Sequence, residues 1–92
     1  MDLKILEKRF NQLFKLPLVK VENSTRVIYY SYNKDNLELY IIYKATPTRI
    51  YKYIGVKPSK VESFTKSQSK GGWVQQNLIK NQTKYYAYVI PD

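Results

Sequence analysis

Residues 24–56 decide the fold, and they read STRVIYYSYNKDNLELYIIYKATPTRIYKYIGV. Three segments of this stretch, 24–32, 36–43 and 49–56, are rich in the β-branched and aromatic residues that favour strands. The first link, residues 33–36, has the turn-forming composition and the length of a hairpin loop. The second link contains a proline. Short links between consecutive strands predict an antiparallel three-stranded meander.

Helices are predicted on both sides of this stretch in the sequence. Apolar side chains recur at intervals of three and four near the start of the chain, at Leu3, Leu6, Phe10 and Leu13. This spacing predicts an amphipathic helix over residues 2–14, with Asp2 as its N-cap and Pro17 ending it. After the meander, Pro58 opens a helix that ends around residues 67–70.

The last third of the chain predicts two more elements. Apolar residues after Gly72 predict a second short helix that reaches about Lys80, and the alternating pattern of residues 84–90 predicts a fourth strand. Residues 18–21 are either a short strand or a linker. Strand 84–90 would leave an exposed edge that can pair with a second copy, and the sequence leaves the oligomeric state open.

These elements predict one domain over residues 1–92 with an α+β fold. The sheet is small and antiparallel, a three-stranded meander plus a C-terminal strand. The N-terminal helix and the two short helices are expected to pack on one face of this sheet. A chain of 92 residues is near the lower end of the lengths that fold without a disulfide or a metal ion.

The composition excludes several kinds of chemistry. The chain has no cysteine and no histidine, so disulfides, zinc ribbons and thiol or imidazole catalysis are not possible. Carboxylates are sparse, with Asp35 and Glu38 as the only close pair, and no serine or tyrosine has a base partner in the pattern. We therefore expect a non-enzymatic protein without metal or cofactor. The charged N-terminus and the short apolar runs predict a soluble, cytoplasmic protein.

Positive charge is concentrated in the second half of the chain. The formal net charge is +9, and residues 44–84 carry a net +8 of it, with Glu62 as their only acid. A surface of one sign indicates an anionic partner, most commonly nucleic acid, although a solubility surface has the same composition. The basic candidates for partner binding are Lys44, Arg49, Lys52, Lys57, Lys60, Lys66 and Lys70.

Tyrosine is unusually frequent, with ten residues in the chain. Exposed aromatic rings beside lysine and arginine on a sheet hold single-stranded nucleic acid by base stacking. We predict Tyr40, Tyr51 and Tyr53 as the stacking residues. Two further roles for the tyrosines stay open, because these side chains also fill the edge of a small core and anchor protein interfaces.

The pair Gly71-Gly72 lies between a lysine and the only tryptophan. One role for it is structural: a glycine in the left-handed conformation ends one helix and turns Trp73 back onto the core. The same geometry would also make a candidate anion site, in which backbone N–H groups of Gly71 and Gly72 act with Lys70 and Gln75.

Several short motifs together resemble the KTSC domain, a family named for its place at the C-terminus of some lysyl-tRNA synthetases. The matching segments, in order, are Ser24-Thr25-Arg26-Val27, Ser31-Tyr32-Asn33, Leu37-Glu38-Leu39-Tyr40-Ile41, Tyr51-Lys52-Tyr53-Ile54-Gly55-Val56 and Ser69-Lys70-Gly71-Gly72-Trp73-Val74. The chain departs from the family pattern at Ser31, at Lys57 and after Gly72. The resemblance covers about residues 22–80, so that the first helix and the last strand are additions to it.

The resemblance and the residues suggest the same function. The synthetase context and the occurrence of the family as small stand-alone proteins, phage proteins among them, imply nucleic-acid binding. We therefore expect a module that binds RNA or single-stranded DNA through a basic, tyrosine-rich sheet face. The alternative is a phage or mobile-element accessory protein that binds and inhibits or redirects an acidic or nucleic-acid-binding host protein.

Overall fold

The computed structural model describes residues 3–90, which form three helices, a π-helical segment and five strands. In chain order these elements are α1 (Leu3–Phe14), β1 (Val19–Lys20), β2 (Val27–Asn33), β3 (Glu38–Tyr43), β4 (Arg49–Ile54), α2 (Pro58–Lys66), α3 (Lys70–Val74), the π segment (Gln75–Ile79) and β5 (Tyr85–Val89). The predicted N-cap, Asp2, lies outside the described residues. None of the helices within residues 3–90 is long and apolar enough to cross a membrane.

The five strands form one antiparallel sheet in the order β1-β2-β3-β4-β5. The predicted α+β fold, its meander and its C-terminal strand are confirmed, and β1 is a fifth strand where a strand or a linker was expected. The β2–β3 turn is closed by Asn33, whose side chain accepts hydrogen bonds from the N–H groups of Asp35 and Asn36. This local bond explains why the turn composition placed the hairpin correctly.

Strand β2 contains an irregularity that the sequence pattern did not indicate. Its pairing with β3 shifts between Val27 and Tyr29, as in a β-bulge. A bulge adds one residue and so exchanges the faces on which the following side chains lie. Val27 therefore packs on one face of the sheet, whereas Tyr29 packs on the other.

Both faces of the sheet are covered, and each has its own core. The first core lies under α2, α3 and the π segment, on what we call the α2 face, and includes Val27, Leu39, Ile41, Tyr53, Phe64, Trp73 and Leu78. The second core lies under α1, on the α1 face, and consists of Leu6, Phe10, Tyr29, Tyr40, Ile42, Ile50 and Ile90. The predicted packing of all helices on one face is thus wrong.

The reason for the second layer is in β3. Residues 39–42 of this strand are all buried, although successive side chains point to opposite faces. A strand with apolar side chains on both faces requires a covering layer on each, and α1 supplies the second. In the sequence, Leu37, Leu39 and Ile41 alternate with Glu38 and Tyr40, and this pattern indicates only one of the two apolar faces.

The double glycine does not end a helix. Helix α2 ends at Lys66 with Ser67 in an extended conformation, and Gly55 is the only glycine with a positive φ in residues 3–90. Gly71 and Gly72 lie inside α3 instead. A Cβ on Gly71 would be 2.8 Å from Cδ of Arg26, so a larger residue there would force the Arg26 side chain to shift. The predicted left-handed cap is therefore wrong.

Candidate functional site

An open groove of about 830 Å³ lies on the α2 face, where the sheet meets the chain that leads from the π segment into β5. Four tyrosines line it, namely Tyr43 from β3, Tyr51 and Tyr53 from β4 and Tyr85 from β5. We call this feature the tyrosine groove. Its volume is within the range of pockets that bind small molecules or single groups of a larger ligand.

Antiparallel pairing brings these four rings together. Tyr53 is directly opposite Tyr85 in the β4–β5 register, and side chains opposite each other lie on the same face. The ring centroids of Tyr51 and Tyr85 are 5.6 Å apart, and those of Tyr43 and Tyr51 are 5.2 Å apart. These are the spacings of favourable aromatic contacts, so the rings support one another.

The hydroxyl groups of Tyr43 and Tyr53, which both line the groove, lie with their oxygens 2.6 Å apart. The pKa of both side chains is raised, and burial is the main cause. The hydrogen bond between them raises the pKa of Tyr43 further and lowers that of Tyr53. Both side chains are therefore neutral near pH 7, and the lining of the groove contains a polar but uncharged pair.

The raised pKa values predict a loss of stability at alkaline pH. Above the ordinary tyrosine pKa of 10.0, the unfolded chain loses protons that folded Tyr43 retains, so the free energy of unfolding falls as the pH rises. We expect Tyr43→Phe to reduce this fall by up to about 1.4 kcal/mol per pH unit. Urea unfolding at a series of pH values measures it. Tyr86→Phe, outside the groove, is the control, and an equal reduction there would contradict the assignment.

Another part of the groove lining comes from the π segment and the loop after it. Leu78 and Ile79 line the groove, together with Gln82 and Thr83. The π segment is closed by the hydrogen bond from the Lys80 N–H to the Gln75 carbonyl, five residues back. Single π-helical turns are rare and frequently occur at functional sites. The sequence predicted an ordinary short helix here, and a spacing argument does not distinguish the two.

The rim of the groove is cationic. Arg26 and Lys84 are exposed and line the groove, and Nζ of Lys84 lies 5.7 Å from the centroid of the Tyr86 ring. No aspartate or glutamate is among the lining residues. Arg26 is held in place by Gly71, against which its aliphatic stem packs. An aromatic groove with a positive rim suits a planar ligand that carries negative charge.

The three tyrosines predicted to stack do not share a face. Tyr51 and Tyr53 line the tyrosine groove, but Tyr40 packs against Phe10 and Phe14 on the α1 face. Tyr40 and Tyr53 are each only 4% exposed, so neither presents an open ring to a ligand. Burial is also the main cause that raises the pKa of Tyr40 to about 12. Only Tyr51 remains as a partly exposed member of the predicted set.

The predicted basic residues are spread over the surface instead of forming one site. Lys52 lies on the α1 face, where its Nζ is 3.2 Å from a Glu38 oxygen and beside the rings of Tyr86 and Tyr88. Lys66 pairs with Glu62 at 2.8 Å on the exposed side of α2. Four other members of the set are exposed, namely Lys44, Arg49, Lys57 and Lys60. None of these seven predicted residues lines the groove.

Several groups of the candidate anion site form hydrogen bonds within the protein. Nζ of Lys70 donates hydrogen bonds to the carbonyls of Thr65 and Ser67, at the end of α2. The Gly72 N–H donates to the side chain of Ser69, and the Gln75 N–H donates to carbonyls within α3. The segment therefore caps and joins two helices, and three of the four predicted anion-site residues use polar groups for bonds within the protein.

Sequence reasoning missed Arg26, Tyr43, Lys84 and Tyr85 as members of a site. A signal for Tyr43 and Tyr85 was present, since antiparallel pairing of the predicted strands aligns residues of like parity from β3, β4 and β5. Arg26 and Lys84 gave no such signal. Within residues 3–90, no group of three or more acidic side chains is placed to hold a metal ion.

Comparison with known proteins identifies the family. A search of curated protein sequences found no match. Among solved structures, the chain is similar to the crystal structure of a KTSC domain protein from Yersinia pestis, with a TM-score of 0.64 and 26% sequence identity over 83% of this chain and 99% of the other. The sequence model of the KTSC domain matches residues 23–88, which include most of β5 and extend beyond the motif-bearing residues 22–80. This chain belongs to the KTSC domain family.

Proposed function

We propose that the protein is a non-enzymatic module that binds single-stranded nucleic acid, with unpaired bases stacked in the tyrosine groove. One observation carries this proposal. Four tyrosines from three strands line a single groove whose charged lining residues, Arg26 and Lys84, are both cationic. Aromatic platforms beside a positive path are the common means of holding single strands.

The geometry of the groove favours unpaired bases over a duplex. The rings of Tyr85 and Tyr51 are partly exposed. A base can stack on such a ring only when it is turned out of a nucleic-acid helix. The hydroxyls of Tyr43 and Tyr53 supply neutral hydrogen-bonding groups behind these rings. Arg26 and Lys84 would contact the phosphates that flank a stacked base.

The rest of the positive surface would act at longer range. Lys44, Arg49, Lys57 and Lys60 are exposed outside the groove, and they raise the local concentration of a polyanion without positioning a base. Binding by charge alone has dissociation constants of about 10⁻⁴ to 10⁻⁶ M at physiological salt. Affinity below the micromolar range would therefore require the groove.

Fluorescence anisotropy with labelled RNA, single-stranded DNA and duplex DNA of one sequence tests the proposal. We expect submicromolar binding of at least one single strand at physiological salt, and weaker binding of the duplex. Equal affinities for all three probes would overturn the proposal. A stoichiometric protein that is captured from a native lysate and survives nuclease treatment would instead support the accessory-protein function.

Replacement of Lys84 tests the cationic rim. Lys84→Ala should lower the slope of log affinity against log salt by about 0.7, the value for one phosphate contact on a single strand. The matched control is Lys34→Ala in the β2–β3 turn, an exposed lysine that does not line the groove. An equal change in slope for both variants would show that the groove has no special role in phosphate binding.

A further inference from the structure

Strand β5 is an unprotected edge of the sheet. It is the last strand in the sheet order, and all five of its residues are exposed. The opposite edge is β1, which is only two residues long. Proteins usually protect edge strands with charges, prolines, bulges or short length, because an open edge pairs with other chains. Residues 85–90 contain neither a charge nor a proline.

The hydrogen bonds of β5 to β4 show which backbone N–H and C=O groups of β5 point away from the sheet. The Lys84 carbonyl accepts from Ile54 and the Ile90 N–H donates to Thr48, so both residues direct their polar groups toward β4. In an antiparallel pair this direction alternates along the strand. The N–H and C=O groups of Tyr85, Ala87 and Val89 therefore point away from the sheet. These three residues form a short open ladder of donors and acceptors.

We propose that this ladder pairs antiparallel with β5 of a second copy, around a two-fold axis at Ala87. In this register every outward group of the three residues has a partner. Tyr85 lies opposite Val89 of the partner subunit, which is a favourable aromatic–β-branched pair, and the two small Ala87 side chains meet at the axis. The register also keeps the two Lys84 residues at opposite ends of the paired strands, so that like charges do not meet.

The self-complementary pattern is what favours a second copy over an unrelated peptide. An isologous contact needs one surface that fits itself, and β5 has a small central residue with large apolar residues on both sides. The pairing also extends the groove, because Val89 of the partner subunit would lie beside Tyr85 on the α2 face. Two tyrosine grooves would then share one continuous sheet. This consequence rests on the proposed function, whereas the dimer does not.

Sedimentation equilibrium of the full chain without nucleic acid, from micromolar to millimolar concentration, tests the dimer. We expect reversible dimerisation, which Val89→Lys should weaken by about tenfold or more through a charge placed in the interface. Val19→Lys on β1 is the matched control, because Val19 is 44% exposed and Val89 68% exposed, each on an edge strand. Val19→Lys should leave the dimer unchanged.

A second variant tests the backbone pairing itself. Ala87→Pro removes an N–H group that points away from β4, so the strand should still pair within the sheet while the dimer is lost. Circular dichroism checks that the variant is folded, and Val89→Lys decides alone if it is not. A monomer at all concentrations, or a dimer that is insensitive to Val89→Lys, would overturn the proposal.

Discussion

Replacing Phe10 with alanine should lower the free energy of unfolding by about 3–5 kcal/mol, as removal of a fully buried aromatic side chain does. Phe10 is 0% exposed and packs against the rings of Phe14 and Tyr40, with centroids 4.9 and 5.3 Å away. It belongs to the core that joins α1 to the sheet. Since small domains have a total stability of about 5–15 kcal/mol, this variant should be close to unfolding at room temperature.

The matched control is Leu13→Ala in the same helix. Leu13 is 60% exposed, so its replacement should change the free energy of unfolding by about 0.5 kcal/mol or less. Urea unfolding followed by circular dichroism measures both variants. A loss of similar size at both positions would mean that α1 contributes through its helical conformation alone. It would contradict the second core on the α1 face.

Replacing Tyr85 with alanine should have the largest effect on nucleic-acid binding. Its ring is 52% exposed and lies beside Tyr51 and Tyr53, so it is the most open stacking surface in the groove. Loss of one stacked base costs about 1–3 kcal/mol, which corresponds to about a 5- to 150-fold weaker affinity. The salt dependence should not change, because no phosphate contact is removed.

A second tyrosine of the same strand supplies the control for this variant. Tyr88 is 36% exposed but lies on the α1 face, beside Lys52 and Phe14. Tyr88→Ala should therefore leave the affinity for single strands within about twofold. Anisotropy titrations at fixed salt compare the two. Equal losses at both positions would assign the effect to β5 as a whole, and an unchanged affinity of Tyr85→Ala would remove the groove from the binding mechanism.

The predicted strands and their order followed from local information. Hairpin turns such as the one closed by Asn33 form through contacts between near neighbours, so composition and alternation located them. The same reasoning located helix α1, whose apolar residues recur at helical spacing. The boundaries shifted by one to three residues, as for β2, which begins at Val27 and not at residue 24.

The candidate site was predicted only in part. Tyr51 and Tyr53 were correctly placed beside each other on one face, because residues two apart in a strand share it. The choice of Tyr40 failed, since its strand is covered on both faces and its ring packs against α1. Two members of the predicted cationic set form contacts within the protein that spacing in the sequence does not reveal. Lys52 pairs with Glu38, and Lys70 donates to carbonyls at the end of α2.

The sequence by itself therefore determined the meander of β2, β3 and β4, the presence of a C-terminal strand, the flanking helices and the motifs of the family. The meander depends on contacts between residues that are close in the chain. The tertiary structure alone decided which face each tyrosine lies on, because the bulge in β2 and the docking of α1 are set by packing between distant elements. It also decided that Arg26 and Lys84 meet at one groove, since long-range sheet pairing and the close fit of Arg26 on Gly71 bring them together.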